Sequence, residues 1–279
     1  MTRPPAGPAG SEQPLVERYD VALLDLDGVV YVGQDAVPGA PDSLAAARAA
    51  GLRLGFVTNN AANSAAAVAA RLTALGVPAD PEDVITSAQT AARVLGERLA
   101  PGARVLVVGT DDLAAELTAR GLTPVRADRT DPDAGPVDAV VQGYSPDTSW
   151  RDLAAACRAV RSGAVWVATN ADSTLPSPDG PLPGNGSLVD VVRRTTGVQP
   201  VVTGKPDPAM HRECLDRTGA RSPLVVGDRL DTDVDGASRV GCASMIVLTG
   251  VVHPVDLLAA PAGRRPTYLA ADLGGLLDV

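Results

Sequence analysis

Aromatic side chains are scarce: one Phe, two Trp and four Tyr make up 3% of 279 residues. A clamp that stacks a nucleobase or a pyridine ring would have few candidates. Histidine is scarcer still, at His211 and His253, so no obvious imidazole metal cluster can be assembled, and both read as structurally incidental. The three cysteines, Cys157, Cys214 and Cys242, are odd in number and far apart. That argues against a disulfide framework or a zinc site and for a reducing, cytoplasmic compartment. No apolar run approaches the roughly 18–20 residues of a membrane span. The opening MTRPPAGPAGSEQPLVE lacks the apolar stretch of a signal peptide and reads as a flexible tail over residues 1–17. Positive charge is in deficit as well: 24 Lys and Arg against 33 Asp and Glu give a net charge of −9. The only basic doublets are Arg193–Arg194 and Arg264–Arg265, not the basic stripe a nucleic-acid binder needs. Neither nucleic acid nor membrane is an expected partner; a homo-oligomer is left open.

What is present is ordinary globular material, 45% hydrophobic and 20% charged. The 28 glycines and 24 prolines together are about 19%, below the roughly 25–30% at which low complexity sets in. Short runs rich in Val, Leu and Ile read as strands at 21–25, 52–58, 104–109, 137–141, 164–169, 223–228 and 244–249. Alanine-rich segments with helical spacing lie between them, at 43–51, 63–76, 90–99, 111–121, 150–163 and 187–197, several ending at a glycine. Alternation of this kind predicts an α/β fold with a Rossmann-like, largely parallel sheet. The Pro101–Gly102 break and the dense turn region 173–187 bracket a block with strands and helices of its own. The expected organisation is a core over 18–100 and 181–279 with a smaller inserted α/β domain over 101–180.

Ligands of open α/β sheets bind beyond the carboxyl ends of the strands, so the residues after each apolar run carry the functional reading. These are Asp25-Leu26-Asp27-Gly28, Thr58-Asn59-Asn60, Gly204-Lys205-Pro206 and Gly227-Asp228-Arg229-Leu230-Asp231-Thr232-Asp233. Asp25 and Asp27, two apart in an extended segment, can share a face, and Gly28 permits a tight turn after them. Crowded carboxylates repel, and Mg²⁺ relieves that with oxygen ligands and substrate phosphate. A carboxylate can also attack phosphorus, while Lys205 and Thr58 can neutralise and hydrogen-bond phosphoryl oxygens. Each piece alone is an ordinary turn, cap or surface charge. Gly184-Asn185-Gly186 lacks the third glycine of a dinucleotide loop and reads as a turn opening a helix.

Taken together, DLDGVV, FVTNN, GKP and GDRLDTD, in that order, resemble the four motifs of haloacid dehalogenase-like (HAD) phosphatases. The likeness runs from about residue 20 to the C-terminus. DGVVYVGQDAVPGA and PDGPLPGNGSL make it similar to the branch with a large cap between the second and third motifs, which includes 4-nitrophenylphosphatases and phosphoglycolate, pyridoxal and glycerol-3-phosphate phosphatases. The resemblance implies Asp25 as nucleophile, Asp27 as general acid and base, and Thr58 and Lys205 as the phosphoryl-binding pair. It also implies Asp25, the Asp27 carbonyl and Asp228 as Mg²⁺ ligands, with Asp233 supporting the metal waters or Lys205. Relatives often carry Ser or Arg shortly after TNN, where this chain has Ala61 and Ala62, so family substrate contacts there do not carry over.

The 147 residues from Thr58 to Lys205 exceed any connecting loop, and an insert of that size can act as a lid that excludes water. Asn59, Tyr144, Ser145, Asn170 and Asp172, at or just after strand ends, are the candidates for substrate contact, though each also reads as a turn or hinge residue. The expected activity is hydrolysis of a small soluble phosphate ester through an aspartyl-phosphate. Glycerol 3-phosphate or 2-phosphoglycolate ranks above pyridoxal phosphate and nucleotides, because aromatics are few and because QGYSPDTSW, LPGNGSLV and VVGDRLDTD look closest to actinobacterial members similar to glycerol-3-phosphate phosphatase. The alternatives are a sugar-phosphate or nucleotide phosphatase of the same family, a phosphotransferase, or a phospho-acceptor or binding protein. A receiver-type phospho-acceptor would be a single domain with no use for Asp27.

Overall fold

The computed structural model describes residues 11–127, 136–175 and 180–278. Two compact units emerge. The first comprises residues up to Thr58, Ala65–Ile85 and Lys205 onwards; the second comprises Asn59–Ser64 and Thr86–Gly204.

The first unit is built on a sheet whose strands lie in the spatial order Tyr268–Ala270, Ala243–Val247, Pro223–Gly227, Val21–Leu24, Arg53–Thr58 and Val84–Thr86. The pairings among the first five are parallel, with Val21 opposite both Pro223 and Arg53. Val21–Leu24 is buried at every position, as expected of a strand covered on both faces. Ala22, Leu24, Leu54, Phe56, Leu224 and Val226 pack on one side with Leu44, Val68 and Leu72 from helices Ala40–Ala49 and Ala65–Ala74. Val21, Leu23, Val57 and Val225 pack on the other with Met210 and Cys214 from helix Pro208–Thr218. The two-residue side-chain period of the strands produces this alternation.

The second unit repeats the plan. Its sheet runs Val201–Val202, Val165–Ala168, Ala139–Gln142, Arg104–Val108 and Thr123–Val125, all parallel. Val105, Val107, Val141 and Val167 meet Ala91, Leu95, Leu113 and Leu117 on one face. Leu106, Val140, Trp166 and Ala168 meet Ala156, Val160, Val189 and Val192 on the other.

All seven expected strands and all six expected helices have counterparts. The division of the chain lies elsewhere than the expected 101 and 180. Helix Ser87–Arg98 buries Ala91, Ala92 and Leu95 in the second unit's core. Helix Asn185–Thr196 buries Val189 and Val192 there, and Val201–Val202 pairs with Val165–Ala168. Residues 86–100 and 181–204 therefore belong with the inserted unit. Of the expected tail 1–17, residues 1–10 lie outside the described residues. Leu15–Arg18 forms a helical turn whose Leu15 is buried in the first unit's core, so an apolar contact anchors that end. Part of the turn region 173–187, residues 176–179, also lies outside the described residues. Gly184 caps helix Asn185–Thr196, as its reading as a turn opening a helix requires. Among the described residues no helix is long and apolar enough to cross a membrane.

Candidate active site

Three strands of the first unit end at the same edge of their sheet, and each delivers a polar group. Val21–Leu24 is followed by Asp25 and Asp27. Arg53–Thr58 ends on Thr58, 2% exposed. Pro223–Gly227 is followed by Asp228, and a one-turn π-helix, Leu230–Val234, then carries Asp233 back to the edge. Such single-turn insertions are frequent at functional sites. Lys205 precedes a cis peptide to Pro206 and the helix Pro208–Thr218.

Lys205 organises the centre. Its side chain is 3% exposed, and its Nζ lies 2.7 Å from Asp25 Oδ1 and 2.8 Å from Asp233 Oδ1. Asp233 Oδ2 accepts the Arg229 backbone N–H at 3.1 Å, so both of its oxygens are engaged. Asp228 Oδ2 accepts the Val251 N–H at 2.7 Å, whereas its Oδ1 is buried without a hydrogen-bond partner. Gly28, at φ +82°, lets the chain turn here; a Cβ on it would stand 2.5 Å from Asp228 Oδ2. At Gly227 a Cβ would overlap the Asp233 carboxyl group.

The titration shifts follow from this packing. Burial pushes the Asp25 carboxyl well above its usual range; Lys205 opposes the shift, and Asp233 and Asp228 add to it. Burial, with Asp233, pushes Asp228 up to about 6. For Lys205, burial works to lower the value, but the Asp233 and Asp25 carboxylates outweigh it and hold the ammonium above its ordinary range.

Asp25, Asp228 and Asp233 each bring one carboxylate oxygen within 4.8 Å of the others. Three carboxylates against one ammonium leave two uncompensated negative charges. The buried, unpartnered Asp228 Oδ1 adds an oxygen that lacks a donor. Both features suit a hard divalent cation. The carboxylates that come together are thus Asp25, Asp228 and Asp233, with Asp233 already held by Lys205 and the Arg229 backbone.

The sequence-predicted substrate residues belong to the second unit. Asn59 donates from Nδ2 to the Asp172 carboxylate at 3.1 Å, and Asn170 donates to the Asn59 carbonyl at 2.8 Å. The Asp172 N–H returns to Asn170 Oδ1 at 3.1 Å, and Asn185 Nδ2 donates to the Asn170 carbonyl at 2.9 Å. Asn59, Asn170 and Asp172 therefore brace one another. Ser145 is buried and its Oγ accepts the Asp147 N–H, an ordinary hydroxyl turn. Tyr144 is partly buried.

Two features escaped the sequence reading. The segment after strand Ala243–Val247 reaches back into the site: Val251 bonds Asp228, and Thr249 Oγ1 donates to the Gly28 carbonyl at 2.6 Å. A strand ending in Thr-Gly at the active edge was the available signal. His211, read as incidental, is 1% exposed beside Gly236 and Pro206, with Nδ1 unpartnered. Burial, reinforced by the Lys205 charge and opposed by Asp233, lowers its pKa to about 4.

A haloacid dehalogenase-like hydrolase family model matches residues 22–123, and a HAD-hydrolase-like model matches residues 202–276. A D-glycerol 3-phosphate phosphatase of Mycobacterium tuberculosis is 52% identical over 262 residues, 94% of this chain and 72% of the relative. The chain belongs to the haloacid dehalogenase-like hydrolases. An acid sugar phosphatase of Staphylococcus aureus, another similar protein, is 36% identical over 92% of this chain and 96% of its own length. Among solved structures, a glycerol phosphate phosphatase from M. tuberculosis in complex with magnesium superposes with a TM-score of 0.89 at 50% identity, covering 96% of this chain and 79% of that one. A 4-nitrophenylphosphatase from Thermotoga maritima gives 0.84 at 29% identity, covering 94% and 97%. This HAD-like chain thus shares its fold with these phosphatases.

Proposed function

We propose that this HAD-like hydrolase is a Mg²⁺-dependent phosphomonoesterase that works through a phosphoryl group carried on Asp25. The observation that carries the reading is the buried Lys205 bridging Asp25 and Asp233 beside the unpartnered Asp228 oxygen. That is one fixed positive charge and one cation-seeking oxygen around a carboxylate nucleophile. Asp25 and Asp228, with the Asp27 carbonyl, would hold Mg²⁺, which when bound neutralises phosphoryl oxygens and lets the anionic Asp25 approach an anionic ester.

The remaining steps belong to the chain's own groups. Lys205 holds one Asp25 oxygen at 2.7 Å, which fixes the orientation of the carboxylate. Its ammonium and the Thr58 hydroxyl are the donors that fit the transferring phosphoryl oxygens. An Asp25 oxygen attacks phosphorus, and the P–O bond to the alcohol breaks in line with it. Asp27 gives its proton to the departing alkoxide oxygen, then takes a proton from the water that hydrolyses the acyl-phosphate. Asp233 keeps Lys205 charged and aimed.

Glycerol 3-phosphate or 2-phosphoglycolate is the favoured substrate. The 52% identical D-glycerol 3-phosphate phosphatase supports the first, and the shortage of aromatics counts against ring-bearing esters. Tyr144 and Ser145, after strand Ala139–Gln142, are the candidates for contacting the organic part. Asn59, Asn170 and Asp172 act with them by keeping their own segment rigid. The three unpaired cysteines support a reducing compartment, the cytoplasm. The test is phosphate release from glycerol 3-phosphate, 2-phosphoglycolate, pyridoxal phosphate and a nucleotide at one Mg²⁺ concentration and pH. A tenfold kcat/KM preference for either ring-bearing ester, about 1.4 kcal/mol of transition-state discrimination, overturns the substrate ranking. Absence of Mg²⁺-dependent release from all four and from a sugar phosphate overturns the activity.

A further inference from the structure

A general acid has to be aimed as well as present, and the structure shows how Asp27 is tied down. Gly28 N–H donates to the Tyr31 carbonyl at 2.8 Å, and Asp27 and Tyr31 form an isolated β-bridge. Tyr31 then opens a small antiparallel hairpin in which Tyr31–Val32 pairs with Asp35–Ala36. The Tyr31 side chain is only 2% exposed. The Asp27 turn and the hairpin are in effect one element.

That element is weak on its own, since even a longer two-stranded hairpin is marginal in water. Arg71, on helix Ala65–Ala74, grips it at two points. Its guanidinium carbon lies 3.9 Å from the centroid of the Tyr31 ring, and its Nη2 donates to the carbonyl of Gly33 at the hairpin tip. A planar guanidinium can lie over a ring and still direct an N–H to a carbonyl; a lysine ammonium is a point charge and does one or the other.

We propose that Arg71 is a positioning residue for the hydrolysis: by clamping Tyr31 and Gly33 it holds the hairpin, and through it keeps Asp27 aimed at the leaving oxygen. The proposal rests on the phosphatase reading of the site. As the Asp25 oxygen bonds to phosphorus, the ester P–O bond breaks with its electron pair on the alcohol oxygen, and the Asp27 proton moves to that oxygen. Nitrophenolate leaves readily without a proton, whereas the alkoxide of glycerol 3-phosphate needs one. Loosening Asp27 therefore penalises phosphoryl transfer to Asp25, the step that kcat/KM reports, selectively for the alkyl ester; its later part as base is common to both esters, and general loosening of the fold lowers kcat/KM on both alike.

The experiment compares kcat/KM on glycerol 3-phosphate and on 4-nitrophenyl phosphate for wild type, Arg71→Met and Arg71→Lys at one Mg²⁺ concentration and pH. Arg71→Met should lower kcat/KM about tenfold on the alkyl ester, part of the ~10²–10⁴-fold that acid–base catalysis contributes, and by less than about threefold on the aryl ester. Arg71→Lys should fall between wild type and Arg71→Met, with the same selectivity. Adding Tyr31→Leu to Arg71→Met should cost little more, because both act through one path. Equal losses on the two esters, or no loss on the alkyl ester, overturn the proposal. If Arg71→Met fails to fold, Arg71→Lys carries the same comparison. A wild-type enzyme that hydrolyses neither ester rejects the phosphatase reading itself, and the Arg71 proposal falls with it.

Discussion

Replacing Lys205 by Met removes the only ammonium lying between Asp25 and Asp233. The two ion pairs, at 2.7 and 2.8 Å, involve a side chain that is 3% exposed, so water cannot substitute for the lost charge. Removing one partner of a buried pair costs about 3–5 kcal/mol, because the other charge is left uncompensated. For a chain of this size that is a melting temperature roughly 6–20 °C lower. The deficit has a definite pH dependence. Burial already pushes Asp25 up against the opposing influence of Lys205, so in the variant it climbs further. A carboxyl whose pKa is higher folded than unfolded binds extra protons in the folded state, and the folded state gains as pH falls. Thermal melts of metal-free wild type and Lys205→Met should differ most near about pH 8 and converge towards about pH 5. Phosphate release should fall by ~10²–10³ in kcat, as when one donor to a transferring group's oxygens is removed. Equal melting temperatures at the alkaline end, or a deficit that does not narrow on acidification, would refute the reasoning.

Other consequences can be measured alongside it. Asp27→Asn should lower kcat by ~10²–10⁴ and keep the thermal melt, since it removes a proton carrier and not a packing group. Asp228→Asn should raise the Mg²⁺ concentration for half-maximal activity at least about tenfold, because an amide lacks the charge a hard cation seeks; an unchanged Mg²⁺ titration would remove Asp228 from the metal site. His211, whose pKa is lowered from 6.5 to about 4 by burial, is neutral when folded but charges when unfolded at mild acid. It therefore supports stability above pH 6.5 and withdraws about 3 kcal/mol as pH falls to 4. Asp228, raised to about 6, works in the opposite sense over the same range. A comparison of wild type with His211→Gln by denaturant unfolding at several pH values isolates the histidine: the variant should lose less stability on acidification, and parallel curves would count against the assignment.

The catalytic edge was readable in the sequence because each of its groups follows an apolar run. Asp25, Thr58 and Asp228 need only the strand before them to be correctly identified, and burial on both faces makes such strands conspicuous. Lys205 and Asp233 were also legible as types, but their 2.8 Å pairing depends on a π-helical turn that no periodicity announces. The unit boundary was harder. Helices Ser87–Arg98 and Asn185–Thr196 have the same alanine- and valine-rich spacing as helices of the first unit, and only the apolar faces they meet decide where they belong. Val251 and His211 were invisible for a related reason: a backbone N–H and a lone buried imidazole acquire meaning only from what tertiary packing sets beside them. Arg71 reads in sequence as one more charge on an alanine-rich helix; the Tyr31 ring beneath it gives it a role.

The central claim is that Asp25 carries the phosphoryl group, and chemical trapping tests it most directly. Enzyme turning over glycerol 3-phosphate with Mg²⁺ is quenched in acid and treated with borohydride, which reduces an aspartyl phosphate to homoserine, and the digest is read by mass spectrometry. With 4-nitrophenyl phosphate, whose phenolate leaves without a proton, the slowed hydrolysis of an Asp27→Asn variant should raise the trapped fraction. The account predicts conversion at position 25 and nowhere else, dependent on both substrate and Mg²⁺. Conversion at Asp27 or Asp228, or steady phosphate release with no conversion at Asp25 in either form, would contradict it.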